Sequence, residues 1–216
     1  MATPAQRCLL RGLILFALAA MLAFLSIASG QAAGIPHAAE TYQRDLTREA
    51  NRIWGLGAPV AGFAAQIHAE SAWRPDVVSP VGASGLAQFM PATARWICGA
   101  YDLPGCETTN PRWAMRALVT YDRHLYDLCH GHTDCDRAWC ALRSYNGGLG
   151  HYRNEAANAA DPLDHRTVDA ACGSASRSAR HCAENLGYPR RIIYDLQPRY
   201  VDAGWGTGWP CREGCP

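Results

Sequence analysis

The sequence predicts a compact, mainly α-helical domain that is stapled by disulfide bonds and has a cleft among its helices. Helix signals dominate after residue 30, whereas the alternation of polar and apolar residues that is typical of strands is scarce. Nine of the ten cysteines also follow residue 30, and this density is typical of exported, disulfide-bonded proteins. The 216 residues are enough for one domain with a hydrophobic core plus short appendages.

The first thirty residues have the composition of an export signal. Arg7 and Arg11 precede an apolar stretch from Gly12 to Gly30, and the small residues Ala32 and Ala33 follow soon after it. We therefore expect residues 1–30 to be a secretory signal peptide and the rest of the chain to be exported. The alternative is an uncleaved membrane anchor, although the apolar stretch is slightly short for a span of roughly 20 residues.

The charge pattern argues against nucleic acid as a partner. All twenty basic residues in the Lys and Arg count are Arg, and the eighteen that follow the signal face nineteen acidic residues. No basic block stands out from this mixture, whereas a nucleic-acid-binding face needs one. We therefore expect no nucleic-acid partner.

The cysteines favour disulfide bonds over metal binding. No Cys-x-x-Cys pair occurs and the His residues are not at zinc-finger spacing, so we expect no metal, and no motif points to a cofactor. Pairing of near neighbours predicts the bonds Cys98–Cys106, Cys172–Cys182 and Cys211–Cys215. It would also join Cys129 to Cys135 and leave Cys140 free, because an odd number of cysteines beyond the signal leaves one thiol unpaired or intermolecular. Spacing alone does not fix this connectivity.

Proline, glycine and capping residues mark the first helices. An N-terminal helical segment, residues 31–56, should contain a polar, peripheral helix over Ala38–Trp54 that ends near Gly55. Pro59 then opens a second helix, since proline is favoured in a first helical turn. The apolar stripe of this second helix consists of Val60, Phe63, Ala64 and Ile67.

The same signals place the remaining elements. After a loop at Arg74–Gly85, we expect helices over Pro91–Cys98, over Pro111–Cys129 with Asn110 as N-cap, from an Asp134 or Asp136 cap to Tyr145, and over Pro189–Tyr200. A polar insertion, Arg153–Cys182, precedes the last of them. The tail, residues 201–216, is rich in Gly and Trp. Trp205 and Trp209 should pack back onto the core, and a docking segment is the alternative.

Glu70 carries the most functional information. It lies seven residues after Phe63, and seven steps of roughly 100° bring it within about 20° of the same helix face. We expect an acidic side chain at the end of an apolar stripe to be buried. Desolvation raises the pKa of a carboxyl group toward the range of a general acid that works near neutral pH. The alternative is a Glu that caps the helix or pairs with Arg74.

Two further segments carry ligand-binding chemistry. In the loop after Glu70, Gly82 and Gly85 allow tight turns and close approach to a ligand. Gln88 offers both donors and an acceptor, which suit the amide and hydroxyl groups of a sugar. Tyr145 and Asn146 come at a predicted helix end, where the alternative is a buried aromatic residue followed by a C-capping Asn.

Together these segments resemble the soluble lytic transglycosylase family, which is related to goose-type lysozyme. The family pattern runs Glu-Ser, Ser-x-x-Gly-Ala-x-Gly-Leu-Met-Gln-x-x-Pro-x-Thr-Ala, Ala-Tyr-Asn-x-Gly and a late Glu-Thr-x-x-Tyr. The matching segments are Glu70-Ser71, Ser79–Ala94, Ser144–Gly147 and Glu184–Tyr188. The resemblance implies a lysozyme-like catalytic domain over residues 57–200. The departures are Ala87 for Met, Ser144 for Ala, Asn185 for Thr, and a long stretch between Asn146 and Glu184.

The resemblance implies a role for each matching residue. Glu70 is expected to be the sole catalytic acid and base, with Tyr145 orienting its carboxyl group and Ser71 supporting it. Glu184 is expected to support structure rather than chemistry. The substrate-binding residues that the resemblance implies are Ser79, Gln88, Met90, Asn146 and Tyr188, of which Tyr188 closes the cleft.

The implied function is cleavage of peptidoglycan glycan strands between N-acetylmuramic acid and N-acetylglucosamine, with formation of a 1,6-anhydro end. A single Glu is enough when the substrate supplies its own nucleophile, and neither Asp76 nor Asp102 is a convincing second carboxylate. The alternatives are a goose-lysozyme-type hydrolase that uses Asp76 or another acid, and a non-catalytic peptidoglycan-binding assembly protein. The family's biology implies a periplasmic location, with wall remodelling or local wall opening for a secretion or conjugation machine.

Overall fold

A computed structural model describes residues 34–174 and 178–211. Within these ranges the regular secondary structure is helical, apart from two isolated bridges that join Ser84 to Val78 and to Phe89. The predicted mainly α fold is therefore confirmed. The predicted signal peptide, together with Cys8 and Cys215, lies outside the described residues. Among the helices that the structure describes, none combines the length and the hydropathy that a membrane span requires.

The helices are the following, in chain order: α1 (His37–Trp54), α2 (Val60–Ser71), α3 (Pro91–Tyr101), α4 (Pro111–Leu128), α5 (Asp134–Gly147), α6 (Leu149–Ala156), α7 (His165–Ala170), a 3₁₀ turn (Ala179–His181), α8 (Cys182–Arg190), a π-helical turn (Arg191–Leu196) and α9 (Gln197–Asp202). The predicted cap of α4 is confirmed, because the Asn110 side chain accepts hydrogen bonds from the backbone N–H groups of Arg112 and Trp113.

The cap of α5 is Thr133 rather than the predicted Asp134 or Asp136. Oγ1 of Thr133 accepts from the N–H of Asp136 at 3.1 Å, and Oδ2 of Asp136 accepts from the N–H of Thr133 at 2.9 Å. This reciprocal capping box satisfies two backbone donors that a helix start leaves without partners. Asp136 therefore takes part in the cap from the first turn of the helix.

The last helical stretch begins at Cys182, so the predicted start at Pro189 is wrong. Pro189 lies inside α8, and the chain passes into the π-helical turn at Arg191. Proline lacks the N–H of a regular helix and its ring crowds the preceding turn. A wider π turn is one way in which a helix accommodates such a disruption without ending.

Helix α2 runs through the centre of the domain. Every residue from Val60 to Ile67 is buried, which is the pattern of a helix covered on all sides. Helix α1, the π-helical turn and α9 pack along it. The helix ends at Ala72, which has a left-handed backbone conformation, so Glu70 lies in its last turn. The centre of the core thus positions the candidate catalytic residue.

An aromatic cluster joins both ends of the described chain to α2. The ring of Trp54 in α1 lies 5.4 Å from that of Phe63 and 5.5 Å from that of Trp209, both in edge-to-face contact. The fit is tight, because a Cβ at Gly62 would lie 2.6 Å from the Trp209 indole. The predicted packing of the tail is confirmed, since Trp205 and Trp209 are buried. Helix α1 is polar and mostly exposed or half-buried, as expected of a peripheral helix, and its buried side faces the core.

Four disulfide bonds form within the described residues: Cys98–Cys106, Cys129–Cys140, Cys135–Cys211 and Cys172–Cys182. The first and last were predicted. The predicted pairs Cys129–Cys135 and Cys211–Cys215 are wrong, and Cys140 is not free. The reason is helical geometry, because five steps of roughly 100° place Cys135 and Cys140 on different faces of α5. Cys140 therefore meets the end of α4, whereas Cys135 meets the tail.

Candidate active site

A cleft of about 790 Å³ opens at the end of α2. It is bounded by the loop at residues 79–90, by the end of α5, and by one face of α8. The predicted site residues that line it are Glu70, Ser79, Gln88, Met90, Tyr145, Asn146 and Tyr188. Ser71 is not among the lining residues. Its side chain is buried, and its hydroxyl donates to the carbonyl of Ile67 in its own helix at 3.3 Å.

The carboxyl group of Glu70 is poised to exchange a proton near neutral pH. The hydroxyl of Tyr188 donates a hydrogen bond to its Oε1, so the proton of the neutral acid belongs on Oε2. Burial raises the pKa of Glu70 from its ordinary value of 4.5 to about 7. The Tyr188 hydrogen bond and the charge of Arg191 act against this rise, whereas the charge of Glu184 adds to it. Arg74 is engaged elsewhere, since its Nε donates to the carbonyl of Ser71 at 3.0 Å.

The two tyrosines of the cleft have different partners from those the sequence suggested. Tyr188, and not Tyr145, donates a hydrogen bond to the Glu70 carboxyl group. The Tyr145 hydroxyl donates instead to the carbonyl of Ala87, at 2.7 Å. The two rings stack, with 6.4 Å between centroids and 7° between planes. Tyr145 therefore supports the ring of Tyr188 and ties α5 to the cleft loop.

The cleft loop is held in shape by its own side chains. The amide nitrogen of Gln88 donates to the carbonyls of Val77 and Gly85, at 3.2 and 2.9 Å. Oγ of Ser79 accepts from the N–H of Ala83 at 3.0 Å. Gly85 has a φ of +78°, and a Cβ there would lie 1.7 Å from the carbonyl oxygen of Thr108, so only glycine fits. In Gln88, the nitrogen therefore serves the loop, and Oε1 is the atom that can accept a hydrogen bond from a ligand.

The other carboxyl groups differ in their access to the cleft. Asp76 and Asp102 are both exposed, and neither lines the cleft. Glu184 is exposed and lines it, although the sequence suggested a structural role. Asp122 was missed altogether. It is fully buried, accepts a hydrogen bond from Gln66 at 3.2 Å, and has a pKa that burial raises well above its ordinary value.

A signal for Asp122 was present in the sequence. It stands at helical spacing from apolar residues of α4, in the same way that Glu70 follows the stripe of α2. The buried apolar positions that share its face are Met115, Leu118, Val119 and Leu125. The charge of Glu70 raises the pKa of Asp122, so the two acids are electrostatically linked. Because Asp122 has no exposed surface, it cannot place a water molecule on a substrate.

Two groups of side chains within the described residues have the composition of a metal site. Asp136, Asp164 and His165 lie together, but their oxygen and nitrogen atoms already bond to each other, to Thr133 and to Arg166. Glu155 lies beside Cys172 and Cys182, which are joined in a disulfide. Neither group lines the cleft.

Comparison with known proteins gives consistent relatives. A family model described as the transglycosylase SLT domain matches residues 50–167. The chain is 30% identical over 136 residues to the soluble lytic murein transglycosylase of Escherichia coli K12, covering 61% of this chain and 19% of that protein. It is 30% identical over 113 residues to the membrane-bound lytic murein transglycosylase F of Marinobacter nauticus, covering 50% of this chain and 19% of that protein. The chain thus spans about a fifth of the length of these curated relatives.

Solved structures show the same fold. The 70 kDa soluble lytic transglycosylase from Escherichia coli superposes with a TM-score of 0.60 at 25% identity, over 76% of this chain and 25% of that one. A complex of the 70 kDa soluble lytic transglycosylase with bulgecin A gives a TM-score of 0.61 at 25% identity, over 79% of this chain and 26% of that one. The predicted lysozyme-like helical architecture is therefore confirmed.

Proposed function

The chain belongs to the transglycosylase SLT domain family, and we propose that it is a peptidoglycan lytic transglycosylase with Glu70 as its single acid and base. The observation that carries the proposal is the raised pKa of Glu70 in the cleft. Glu70 lines the cleft, and burial raises the pKa of its carboxyl group to about 7. It is therefore protonated in a large share of molecules at neutral pH and can act first as a general acid.

The proposed reaction needs no second carboxylate. Neutral Glu70 donates its proton to the glycosidic oxygen between N-acetylmuramic acid and N-acetylglucosamine, and the bond from that oxygen to C1 of the muramic acid breaks. The 2-acetamido oxygen of the same sugar stabilises the positive charge that develops at C1. Ionised Glu70 then takes the proton of the C6 hydroxyl as its oxygen bonds to C1. The product is a 1,6-anhydromuramic end, Glu70 is neutral again, and no water is consumed.

Partners around Glu70 fit this proton cycle. A phenol hydrogen bond from Tyr188 stabilises the ionised carboxylate in the second half of the cycle, while burial favours the neutral acid in the first half. These opposed effects leave the pKa between those of an exposed Glu and a fully desolvated one. Ser79, Gln88, Met90 and Asn146 lie along the cleft as proposed contacts for the saccharide.

A hydrolase of goose-lysozyme type is the second candidate, and the position of Glu184 favours it. Glu184 lines the cleft and its charge acts on Glu70, so it is the acid that could place a water molecule. A hydrolase leaves a reducing end in place of the anhydro end. A peptidoglycan-binding protein without activity is a third class, but such a protein has no need of an acid whose pKa is displaced.

We place this activity in the periplasm, in line with the predicted signal peptide. Local wall opening for a secretion or conjugation machine is a narrower proposal that rests on the family's biology alone.

Product analysis tests the proposed function. The chain is purified under oxidising conditions, incubated with intact peptidoglycan, and the released muropeptides are identified by mass spectrometry. Anhydro-ended products that disappear with Glu70→Gln are the expected result. Reducing-ended products that disappear with Glu184→Gln would identify a hydrolase instead. Binding to the sacculi without release of muropeptides, by a wild-type chain that is folded, would contradict both enzymatic proposals.

A further inference from the structure

A fully buried arginine directly precedes the residues of α5 that line the cleft. Arg143 is two residues before Tyr145 in α5, and its side chain has no exposed surface. Its Nη2 donates to Oε2 of Glu155 at 2.5 Å, and its Nη1 donates to Oδ1 of Asp169 at 2.9 Å. A guanidinium group stays charged when buried, so these carboxylates are what makes its position possible.

The third partner of Arg143 leads toward the cleft. Its Nε donates to Oδ1 of Asn185 at 2.9 Å, and the amide nitrogen of Asn185 donates back to the carbonyl of Arg143 at 2.9 Å. The same amide nitrogen donates to Oδ1 of Asn146, also at 2.9 Å. Asn185 is buried in α8, three residues before Tyr188. Through its amide oxygen and its amide nitrogen, the Asn185 side chain therefore joins α8 to α5 beside the cleft.

The long stretch between Asn146 and Glu184 supplies the counter-charges. Glu155 is the last but one residue of α6 and is fully buried, while Asp169 in α7 also accepts from the indole of Trp139 at 3.0 Å. Cys172 and Cys182 then tie the end of this stretch to the first residue of α8. The stretch thus supplies both carboxylates that pair with Arg143, which gives a physical reason for its length.

We propose that Arg143 is a positioning residue, which through Asn185 holds α8 against the end of α5 and so keeps Tyr188 and Asn146 in place beside Glu70. The planar guanidinium group fixes three bond directions at once, which a lysine cannot do. These contacts link the stretch between Asn146 and Glu184 to the carboxyl group of Glu70. The inference rests on the proposed function for its effect on turnover, but its effect on Glu70 is measurable without substrate.

Displacement of α8 should change the pKa of Glu70 in a predictable direction. The groups that act on the Glu70 carboxyl group, or on which it acts, are Tyr188, Glu184, Arg191, Tyr145 and Asp122. Tyr188 and Glu184 both belong to α8 and act in opposite directions on the pKa of Glu70. The hydrogen bond from Tyr188, which lowers that pKa, is the larger effect of the two. A displacement of α8 that breaks this hydrogen bond but leaves the carboxyl group buried should therefore raise the pKa of Glu70, because the burial that raises it is kept.

The test compares two buried glutamates that pair with arginine. Glu155→Gln weakens the hold on Arg143. The matched control is Glu49→Gln, because Glu49 is equally buried and pairs with Arg116, at 2.9 Å, between α1 and α4. Asn185→Ala removes the link itself. Direct replacement of Arg143 is avoided, because an unpaired buried Glu155 can prevent folding.

The readouts are the titration midpoint of the Glu70 carboxyl carbon by NMR, with Glu70→Gln to assign the signal, and the rate of muropeptide release from sacculi. Asn185→Ala and Glu155→Gln should raise the midpoint by about 0.5–1 pH unit and slow release about tenfold or more. Glu49→Gln should lower thermal stability but leave both readouts as in the wild type.

Two results would overturn the inference. One is an unchanged Glu70 midpoint in both Asn185→Ala and Glu155→Gln. The other is a shift of the same size in Glu49→Gln, since it would show that general loss of stability moves Glu70. If the wild-type chain releases no muropeptides, the proposed function fails, while the NMR titration still decides whether Arg143 positions Tyr188.

Discussion

Replacing Glu70 with Gln should stabilise the folded protein in alkaline solution and leave its stability nearly unchanged in acid. In the folded chain the pKa of Glu70 is raised from 4.5 to about 7. The neutral acid therefore adds stability below about pH 4.5, and that contribution is lost as the pH rises through about 7. A move of a pKa from 4.5 to about 7 corresponds to about 3 kcal/mol. Because the carboxyl group faces the cleft, we expect about 1.5–3 kcal/mol in practice.

The assay is urea denaturation of the wild type and Glu70→Gln at about pH 4 and about pH 8. The free energies of unfolding should agree at the lower pH and differ by the stated amount at the higher one. Glu49→Gln is the control with the opposite sign, because Glu49 pairs with Arg116 and loss of this ion pair should destabilise the protein. A Glu70→Gln variant whose gain in stability is the same at both pH values would refute a raised pKa for Glu70.

Further predictions concern the neighbours of Glu70. Tyr188→Phe removes a hydrogen bond that lowers the pKa of Glu70, so the pH at which activity falls should rise by about one unit. Tyr145→Phe should leave that pH unchanged, because the Tyr145 hydroxyl bonds to a backbone carbonyl. Glu184→Gln removes a charge that raises this pKa, so the fall should move to lower pH, whereas complete loss of activity would favour the hydrolase. Asp122→Asn should stabilise the protein more at about pH 8 than at about pH 4, because the raised pKa of Asp122 costs stability as the pH rises. Equal effects at the two pH values in urea denaturation would contradict a raised pKa for Asp122.

Local signals in the sequence predicted the elements that carry the site. Asn110 followed by Pro111 marked the start of α4, and the apolar stripe of α2 placed Glu70 on a buried face, because both depend on neighbours within a turn or two of helix. The loop residues Gly85 and Gln88 were also identified, since their types suit a tight turn and a polar contact. What these residues contact could not be read in the same way.

The contacts that were missed join distant parts of the chain. Tyr188 reaches Glu70 across 118 residues, and Cys135 reaches Cys211 across 76. Such pairs depend on which helix faces meet, and the π-helical turn at Arg191 changes the register of the last faces. The network of Arg143 was hidden for the same reason, because its acids lie in a stretch that looked like a polar insertion. Asp122 is different, since the periodicity that identified Glu70 would also have identified it.

Digestion in water that carries a heavy oxygen isotope tests the single-carboxylate reaction most directly. A lytic transglycosylase uses the C6 hydroxyl of its own substrate, so the new muramic ends should be anhydro ends, lighter than a reducing end by one water, and should contain none of the isotope. The reaction would then need only proton transfer by Glu70 and the C6 hydroxyl of the substrate itself. Newly formed reducing ends in place of anhydro ends would show that water attacks C1, and the single-carboxylate mechanism would be wrong.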